Sequence, residues 1–287
     1  MEIAVLGMGR MGQALARRLL GGGHSVVVWN RSKGQADDVL AAGAREAGTI
    51  ADAVEGADVV ITSLSDDDAV QAVALGDGGV RSAIGPEAIY ADASTISPFL
   101  AEALAGEFGS FVALPILGPP AAVESGQADY LVGGDPAVAD RLAPVLSTLS
   151  DTIRRYDTPR QAIGGKLANN LLLLAEVAAL AEAFAVGRSG GLSDDELRDL
   201  LDQSPMVPPG IRNRFEGVLA GGQEAWWSAA LGAKDAGLAV DAAAAAGVDL
   251  PLAETVRELY HDAAVAGGED DDIVAVARRY VPGRSGG

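Results

Sequence analysis

Two polar residues, Lys166 and Asn170, stand one helical turn apart in the apolar segment IGGKLANNLLLLAEVAAL (163–180). Residues four apart share a helix face, so both side chains can converge on one substrate oxygen. An ammonium group there would stabilise and protonate the negative charge that develops when hydride adds to a carbonyl. The alternative is a lysine whose side chain extends to solvent from the helix end.

The segment GMGRMG (7–12) directly follows an apolar run and opens a helical pattern. In a strand–turn–helix context, Gly7 permits the tight turn and Gly9 lets the backbone approach a pyrophosphate, while Gly12 allows the helix and strand to pack closely. The helix N-terminus would face the anion. We therefore predict a dinucleotide-binding loop that includes Arg10 and Met11, the alternative being turn glycines with no ligand.

The second apolar run ends in WNRSK (29–33), where an NAD-selective site usually has an acid for the ribose 2′-hydroxyl. Asn30, Arg31, Ser32 and Lys33 stand there instead, and an arginine can bind a 2′-phosphate. This pattern favours NADP(H) over NAD(H), unless the cations belong only to a surface loop. Ser63, Leu64 and Ser65, at the end of DVVITSL (58–64), are further candidates for cofactor contacts, although a serine-rich loop needs no ligand to explain it.

The order of apolar runs predicts how these residues are positioned. Short β-branched runs alternate with helical patterns, which indicates a parallel sheet with helices on both faces; the predicted strands are 2–7, 25–29, 58–64, 88–92, 110–115 and 129–134. After about residue 157 the pattern is helical, with predicted helices at 164–187, 193–203, 226–247, 251–268 and 270–280 and a frayed tail at 282–287. We therefore predict an α/β domain (1–160) and an all-α domain (161–287), joined by a long interdomain helix.

Composition narrows the function classes. A net charge of −19 argues against nucleic acid and anionic membranes as partners, and the absence of cysteine excludes disulfides and thiolate chemistry. Two isolated histidines, His24 and His261, make a His-based metal site improbable, and the absence of cysteine excludes a Cys-ligated one. The first residues lack the pattern of a signal peptide, and the longest apolar run contains Glu176 and Glu182, so we expect a cytoplasmic protein with no membrane span. The long apolar helix exposes more surface than one small domain covers, which suggests a homodimer.

Four segments together resemble the β-hydroxyacid dehydrogenases, a family that includes 3-hydroxyisobutyrate dehydrogenase and the semialdehyde reductases. They are GMGRMG, DASTISP (92–98), GGKLANN (164–170) and GAKDAGLAVDAAAAAGVDLPL (232–252), in this order and at this spacing. The resemblance implies an N-terminal Rossmann domain and NADP(H)-dependent hydride transfer to a small semialdehyde or oxo acid. It also implies that Lys166 is the proton donor and that Asn170 lies beside it.

The same resemblance assigns further residues to the site. It implies that Ser94 binds a substrate carboxylate, that Thr95 lies near the nicotinamide, and that the Lys234–Asp235 pair lies near the cofactor and the lysine. We expect Lys234 on the cofactor side and Asp235 on the substrate side. A helix N-cap at Ser94, Thr95 or Ser97 is the competing explanation for the first two residues, and an exposed helix pair for the last two.

Two departures from the family pattern bear on the substrate. Leu117-Gly118-Pro119 stands where the family usually has Ser-Gly-Gly, so one hydroxyl and one backbone N–H are absent, which suggests a larger or less acidic substrate. Two glycines usually found before the lysine are replaced by Arg160 and Ala162. Imine reductases share this architecture but usually replace the lysine, so Lys166 favours carbonyl chemistry. A non-catalytic NADP(H)-binding protein is the remaining alternative.

Overall fold

The computed structural model describes residues 1–267 and 271–280, and it divides into two compact units. The first is Met1–Lys166 and the second begins at Leu167. The predicted domain boundary after residue 160 stays a prediction. The predicted frayed tail (282–287), the last residue of the predicted helix 251–268 and the first residue of the predicted helix 270–280 lie outside the described residues.

A single twisted sheet forms the framework of the first unit, and its strand order is β3-β2-β1-β4-β5-β6-β8-β7, with β9 paired to β8. The first six strands of that order are parallel, and 3-2-1-4-5-6 is the order of a Rossmann fold, which confirms the predicted fold class. The strands are β1 (Glu2–Leu6), β2 (Ser25–Trp29), β3 (Arg45–Glu46), β4 (Val59–Thr62), β5 (Ile89–Asp92), β6 (Phe111–Ala113), β7 (Ile116–Leu117), β8 (Asp129–Gly134) and β9 (Ile153–Tyr156).

Burial explains why the central strands could be predicted from the sequence. Ile3, Ala4, Val5 and Leu6 are all fully buried, as expected for a strand covered on both faces. The sequence did not predict β3, β7 or β9. The first two have only two residues each, and β9 reads IRRY with two exposed arginines, so none carries an apolar run.

Short helices connect the strands of the first unit, and several begin at a side-chain cap. Thr49, Asp66, Ser97 and Asp135 each accept a hydrogen bond from a backbone N–H of the first turn that follows. The helices are α1 (Arg10–Gly21), α2 (Asp37–Ala41), α3 (Ile50–Val54), α4 (Asp67–Leu75), α5 (Val80–Ala83), α6 (Pro98–Glu107), α7 (Pro120–Ser125), α8 (Pro136–Arg141) and α9 (Ala143–Leu149).

The longest helix, α10 (Pro159–Ser189), has 31 residues and contributes to both units. It begins five residues before the predicted start at 164, because proline is well tolerated in the first turn of a helix. Part of this apolar helix is exposed in the single chain, since Leu172 is 60% and Val186 71% exposed. By length and composition alone, α10 is the one helix in the described part of the chain that could cross a membrane, a test that core helices also pass.

The regular elements in the described part of the second unit are all helices, joined by turns and loops. Besides the rest of α10 it contains α11 (Asp194–Asp202), α12 (Pro209–Arg212), α13 (Phe215–Ala220), α14 (Ala229–Ala245), α15 (Pro251–Gly267) and a 3₁₀ segment (Ile273–Tyr280). Helix α11 begins with a capping box formed by Ser193 and Glu196. The helix predicted from residue 226 begins at Ala229, because Ser228 caps it, so Trp226 and Trp227 lie in the preceding turn.

Candidate functional site

The glycine loop connects β1 to α1 and contains both tight and open positions. Gly7 has φ +101, and a Cβ added there would lie 2.3 Å from the Ser63 backbone oxygen. A Cβ on Gly12 would lie 1.8 Å from the Gly7 oxygen, so neither position accepts a side chain without a shift of backbone. At Gly9, the N-cap residue of α1, an added Cβ meets none of the described atoms within 4 Å. The loop thus presents open backbone where the helix begins.

Asn30, at the end of β2, uses its amide to hold the neighbouring loops. Its Oδ1 accepts a hydrogen bond from the Met8 backbone N–H (2.9 Å), and its Nδ2 donates to the Ser32 backbone oxygen (2.8 Å). Arg31, Ser32 and Lys33 follow as exposed residues. Asn30 therefore ties the glycine loop to the cationic segment, a role that the sequence did not suggest.

The loop after β4 lies beside the glycine loop. Ser65 Oγ donates to Asp66 Oδ2 (2.6 Å), and Asp66 caps α4, so this serine supports a helix cap. The Leu64 backbone N–H donates to Ser94 Oγ (2.9 Å), which links this loop to the one after β5. Ser63 and Leu64 are partly buried, and Ser65 is exposed.

A buried cluster of hydroxyl groups surrounds Asp92 at the ends of β4 and β5. Thr62 Oγ1 and Ser94 Oγ donate to Asp92 Oδ1 at 2.6 and 2.7 Å, and the Tyr90 hydroxyl lies 3.0 Å from Thr62 Oγ1. Burial raises the pKa of Asp92 from 3.8 to about 6, against the opposing effect of these hydrogen bonds. Sequence reasoning missed Thr62 and Asp92, although both stand inside quoted motifs at strand ends.

The competing cap explanation for the DASTISP segment applies to Ser97. Its Oγ accepts from the Leu100 backbone N–H (3.1 Å) at the start of α6, and its own N–H donates to Asp67 Oδ1 (2.8 Å). Ser94 is buried and bonded to Asp92, while Thr95 is partly buried. The cap is therefore Ser97, and Ser94 has a different set of contacts.

Lys166 is anchored within the first unit. Its Nζ donates to the backbone oxygen of Ile116 in β7 at 2.6 Å, and its side chain is partly buried. The exposed Gly118, with φ +136, and the partly buried Leu117 follow in the same segment. The lysine is therefore bonded to the residue that immediately precedes the segment that departs from the family pattern.

Asn170, Lys234 and Asp235 form a cluster inside the second unit. Asn170 Nδ2 donates to Asp235 Oδ2 at 2.7 Å, and both residues are buried. Lys234 Nζ lies 2.9 Å from Asp235 Oδ1 and forms an ion pair with it, but the geometry is not that of a hydrogen bond. A Cβ on Gly232 would lie 2.9 Å from Leu174 Cδ2, so this glycine lets α14 approach α10 closely. Because Asp235 is buried, an exposed helix pair does not describe it.

The structure thus sorts the predicted residues into two groups. In the first unit the glycine loop contacts the 30–33 and 63–65 loops, and the 63–65 loop contacts Ser94, whereas Lys166 is bonded to Ile116, the residue before Leu117 and Gly118. The second unit holds the cluster of Asn170, Lys234 and Asp235, and Asn170 stands one turn beyond Lys166 on α10. Trp226 and Trp227 donate their backbone N–H groups to the buried Asp272, so they belong to a structural network.

Two family models match nearly the whole chain. Residues 2–157 match the NAD binding domain of 6-phosphogluconate dehydrogenase. Residues 162–280 match the NAD-binding domain of NADP-dependent 3-hydroxyisobutyrate dehydrogenase.

Two bacterial relatives align along nearly their full length. An uncharacterized oxidoreductase, YfjR, of Bacillus subtilis is 31% identical, over 97% of this chain and 99% of the relative. The NAD-dependent L-serine dehydrogenase of Pseudomonas aeruginosa is 30% identical, over 98% of each chain. The structure of 3-hydroxyisobutyrate dehydrogenase from Salmonella typhimurium superposes with a TM-score of 0.85 at 26% identity, over 96% and 99% of the two chains. An imine reductase of Streptomyces aurantiacus shares the fold, with a TM-score of 0.65 at 24% identity over 96% and 98%.

Proposed function

The chain belongs to the β-hydroxyacid dehydrogenase family of NAD(P)-dependent oxidoreductases that act on CH–OH groups, and we propose that it reduces the carbonyl of a small semialdehyde or oxo acid with NADPH. In this proposal Lys166 is the general acid, or the general base in the reverse direction, and Asn170 assists it. The observation that carries the proposal is the pairing of an anchored Lys166 with Asn170 one turn further along α10, held by the buried Asp235.

The first unit fits a dinucleotide. Gly9 leaves open backbone at the N-terminus of α1, where a pyrophosphate would bind with Arg10 and Met11 beside it. Arg31, Ser32 and Lys33 offer two cations and a hydroxyl for a ribose 2′-phosphate, and the segment has no acid to repel one. Asn30 orders that segment, which supports NADP(H), although the L-serine dehydrogenase relative is NAD-dependent. The loop 63–65, Thr95 and Lys234 are proposed contacts of the nicotinamide half.

The chemistry of the chain's own residues follows from charge. NADPH, when bound, supplies the hydride that adds to the carbonyl carbon. Negative charge then develops on the carbonyl oxygen, and the Lys166 ammonium stabilises this charge and gives a proton to the oxygen. The bond to the Ile116 oxygen limits the positions that Nζ can take, and the bond to Asp235 fixes the Asn170 amide.

The substrate is proposed to meet Ser94, Leu117, Gly118 and Asp235. Leu117 and Pro119 remove a hydroxyl and an N–H from the segment that follows Ile116, the partner of Lys166, which favours a substrate that is larger or less acidic than a small hydroxyacid. The same segment is the observation that favours imine reduction as a second candidate function. Lys166 favours carbonyl reduction over imine reduction. Hydride addition to a carbonyl leaves an oxygen that must be protonated, whereas hydride addition to an iminium ion gives a neutral amine.

We also propose a cytoplasmic homodimer. Leu172, Ala179, Ala183 and Val186 are exposed and recur along α10 with helical spacing, so they form an apolar stripe that a second chain would cover. A light-scattering mass equal to one chain would contradict the dimer.

The experiment is NADPH oxidation, with NADH in parallel, against semialdehydes, 2-oxo acids, bulkier ketones and cyclic imines. Lys166→Ala removes the proton donor, and Lys166→Arg keeps a charge on a group that does not release its proton. Turnover of a carbonyl that both variants lose would support the proposed role of Lys166. If only imines react, and both variants keep the rate, the chemistry is imine reduction.

A further inference from the structure

The hydroxyl groups around Asp92 donate in one direction. Asp92 Oδ1 receives the hydroxyl protons of Thr62 and Ser94 at 2.6 and 2.7 Å. Since the single Thr62 proton is used there, the Tyr90 hydroxyl must be the donor in its 3.0 Å contact with Thr62 Oγ1. The Thr62 and Ser94 hydroxyls therefore both donate to one oxygen of a fully buried carboxyl group, and the Tyr90 hydroxyl donates to Thr62.

The Ser94 hydroxyl has no proton available for a further hydrogen bond. A serine hydroxyl has one proton and two lone pairs, and the proton is given to Asp92 while one lone pair accepts the Leu64 backbone N–H at 2.9 Å. What remains on Ser94 Oγ is one lone pair. A substrate carboxylate could bind there only by taking the proton from Asp92, which would leave a buried oxygen with one hydrogen bond fewer.

This arrangement does not depend on the ionisation of Asp92. Oδ2 is buried and has no hydrogen-bond partner in the described part of the chain, so Oδ2 is the oxygen that takes up a proton. Oδ1 stays an acceptor in both states, and the Ser94 proton stays directed toward it.

We propose that Asp92 is a positioning residue that holds Ser94 as a hydrogen-bond acceptor, so that the group recognised at Ser94 is an N–H or O–H donor and not a carboxylate. This inference rests on the proposed function, because it concerns the same site. A donor of this kind exists in the carboxamide of a bound nicotinamide and in a substrate hydroxyl or amide. It agrees with the less acidic substrate that Leu117 and Pro119 suggest.

Binding measurements on the full chain test the inference. The fluorescence of NADPH gives its dissociation constant, and titration of the enzyme–NADPH complex with 1,3-propanediol and with 3-hydroxypropionate compares a hydroxyl with a carboxylate on the same carbon chain. Loss of one hydrogen bond predicts that Ser94→Ala weakens either the diol or NADPH by about three- to tenfold and leaves the acid unchanged. Weaker binding of the diol would show that a substrate hydroxyl donates to Ser94. Weaker binding of NADPH would show that the nicotinamide carboxamide is the donor. Ser97→Ala, which removes the α6 cap, is the matched control and should change none of the three.

Two changes at position 92 test the positioning role. Asp92→Asn keeps an acceptor oxygen and should leave all three dissociation constants within about twofold of the wild-type values. Asp92→Leu removes the acceptor and frees the Ser94 hydroxyl to donate, so we expect this variant to bind 3-hydroxypropionate more tightly. If it does not fold, Ser94→Ala and Asp92→Asn test the positioning role. The inference would be overturned if Ser94→Ala selectively weakened the binding of 3-hydroxypropionate, or if it changed the dissociation constant of none of the three ligands. Failure of wild-type enzyme to bind NADPH would instead count against the proposed function.

Discussion

The buried carboxyl of Asp92 predicts a specific pH dependence of stability. Burial raises its pKa in the folded chain to about 6 from the ordinary 3.8, so between these values the folded chain holds a proton that the unfolded chain has lost. Stability therefore falls as the pH rises through this window, by about 3 kcal/mol in full. Part of this loss occurs between pH 3.8 and pH 5. From pH 5 to pH 8 the free energy of unfolding is therefore expected to fall by about 1 to 2 kcal/mol.

Asp92→Asn isolates this effect. Asparagine is neutral at every pH, so the free energy of unfolding of the wild type minus that of the variant should decrease by about 1 to 2 kcal/mol from pH 5 to pH 8. Urea unfolding at four pH values measures it. The amide also places an NH₂ group at the unpartnered Oδ2 position, but that cost is the same at each pH and cancels.

The control is Asp38→Asn, which removes an exposed carboxylate from α2. Its difference from the wild type should stay constant across the same pH range. The reasoning is refuted if the Asp92→Asn difference is flat with pH, or if it increases as the pH rises. A flat result would mean that Asp92 keeps an ordinary pKa despite its burial.

Three further perturbations test other parts of the site. Asn170→Ala removes the donor to Oδ2 of buried Asp235 and should lower both kcat and the free energy of unfolding, the latter by about 1 to 3 kcal/mol. Asn213→Ala, at an exposed residue of the same unit, should change neither, and equal effects of the two variants on urea unfolding would contradict this. Arg31→Ala should raise the KM for NADPH by about tenfold or more and leave the KM for NADH unchanged, and a parallel rise in both would remove Arg31 from phosphate recognition. Val186→Lys should shift the light-scattering mass from two chains to one, and an unchanged mass would exclude the α10 stripe as the interface.

Local patterns explain what the sequence predicted. The strands β1, β2, β4, β5 and β8 are apolar runs, and the glycine loop follows β1 directly, so fold class and loop could be recognised without distant contacts. The capping box at Ser193 is local in the same way. By contrast, the roles of Asn30 and Asp92 depend on partners 22 and 30 residues away, which spacing along the chain does not reveal.

The surroundings of Lys166 depend on a compensation between distant positions. Where the family usually has a glycine, this chain has Ala162, which is fully buried. A Cβ on Gly133 of β8 would lie 2.6 Å from the Ala162 Cβ and 2.4 Å from the Thr158 oxygen, so Gly133 provides the space that the alanine occupies. The first turn of α10 can therefore pack directly on β8. Because β8 also pairs with β7, this contact keeps the helix close to the Ile116 oxygen that accepts from Lys166, so the lysine's position depends on a glycine 33 residues earlier in the chain.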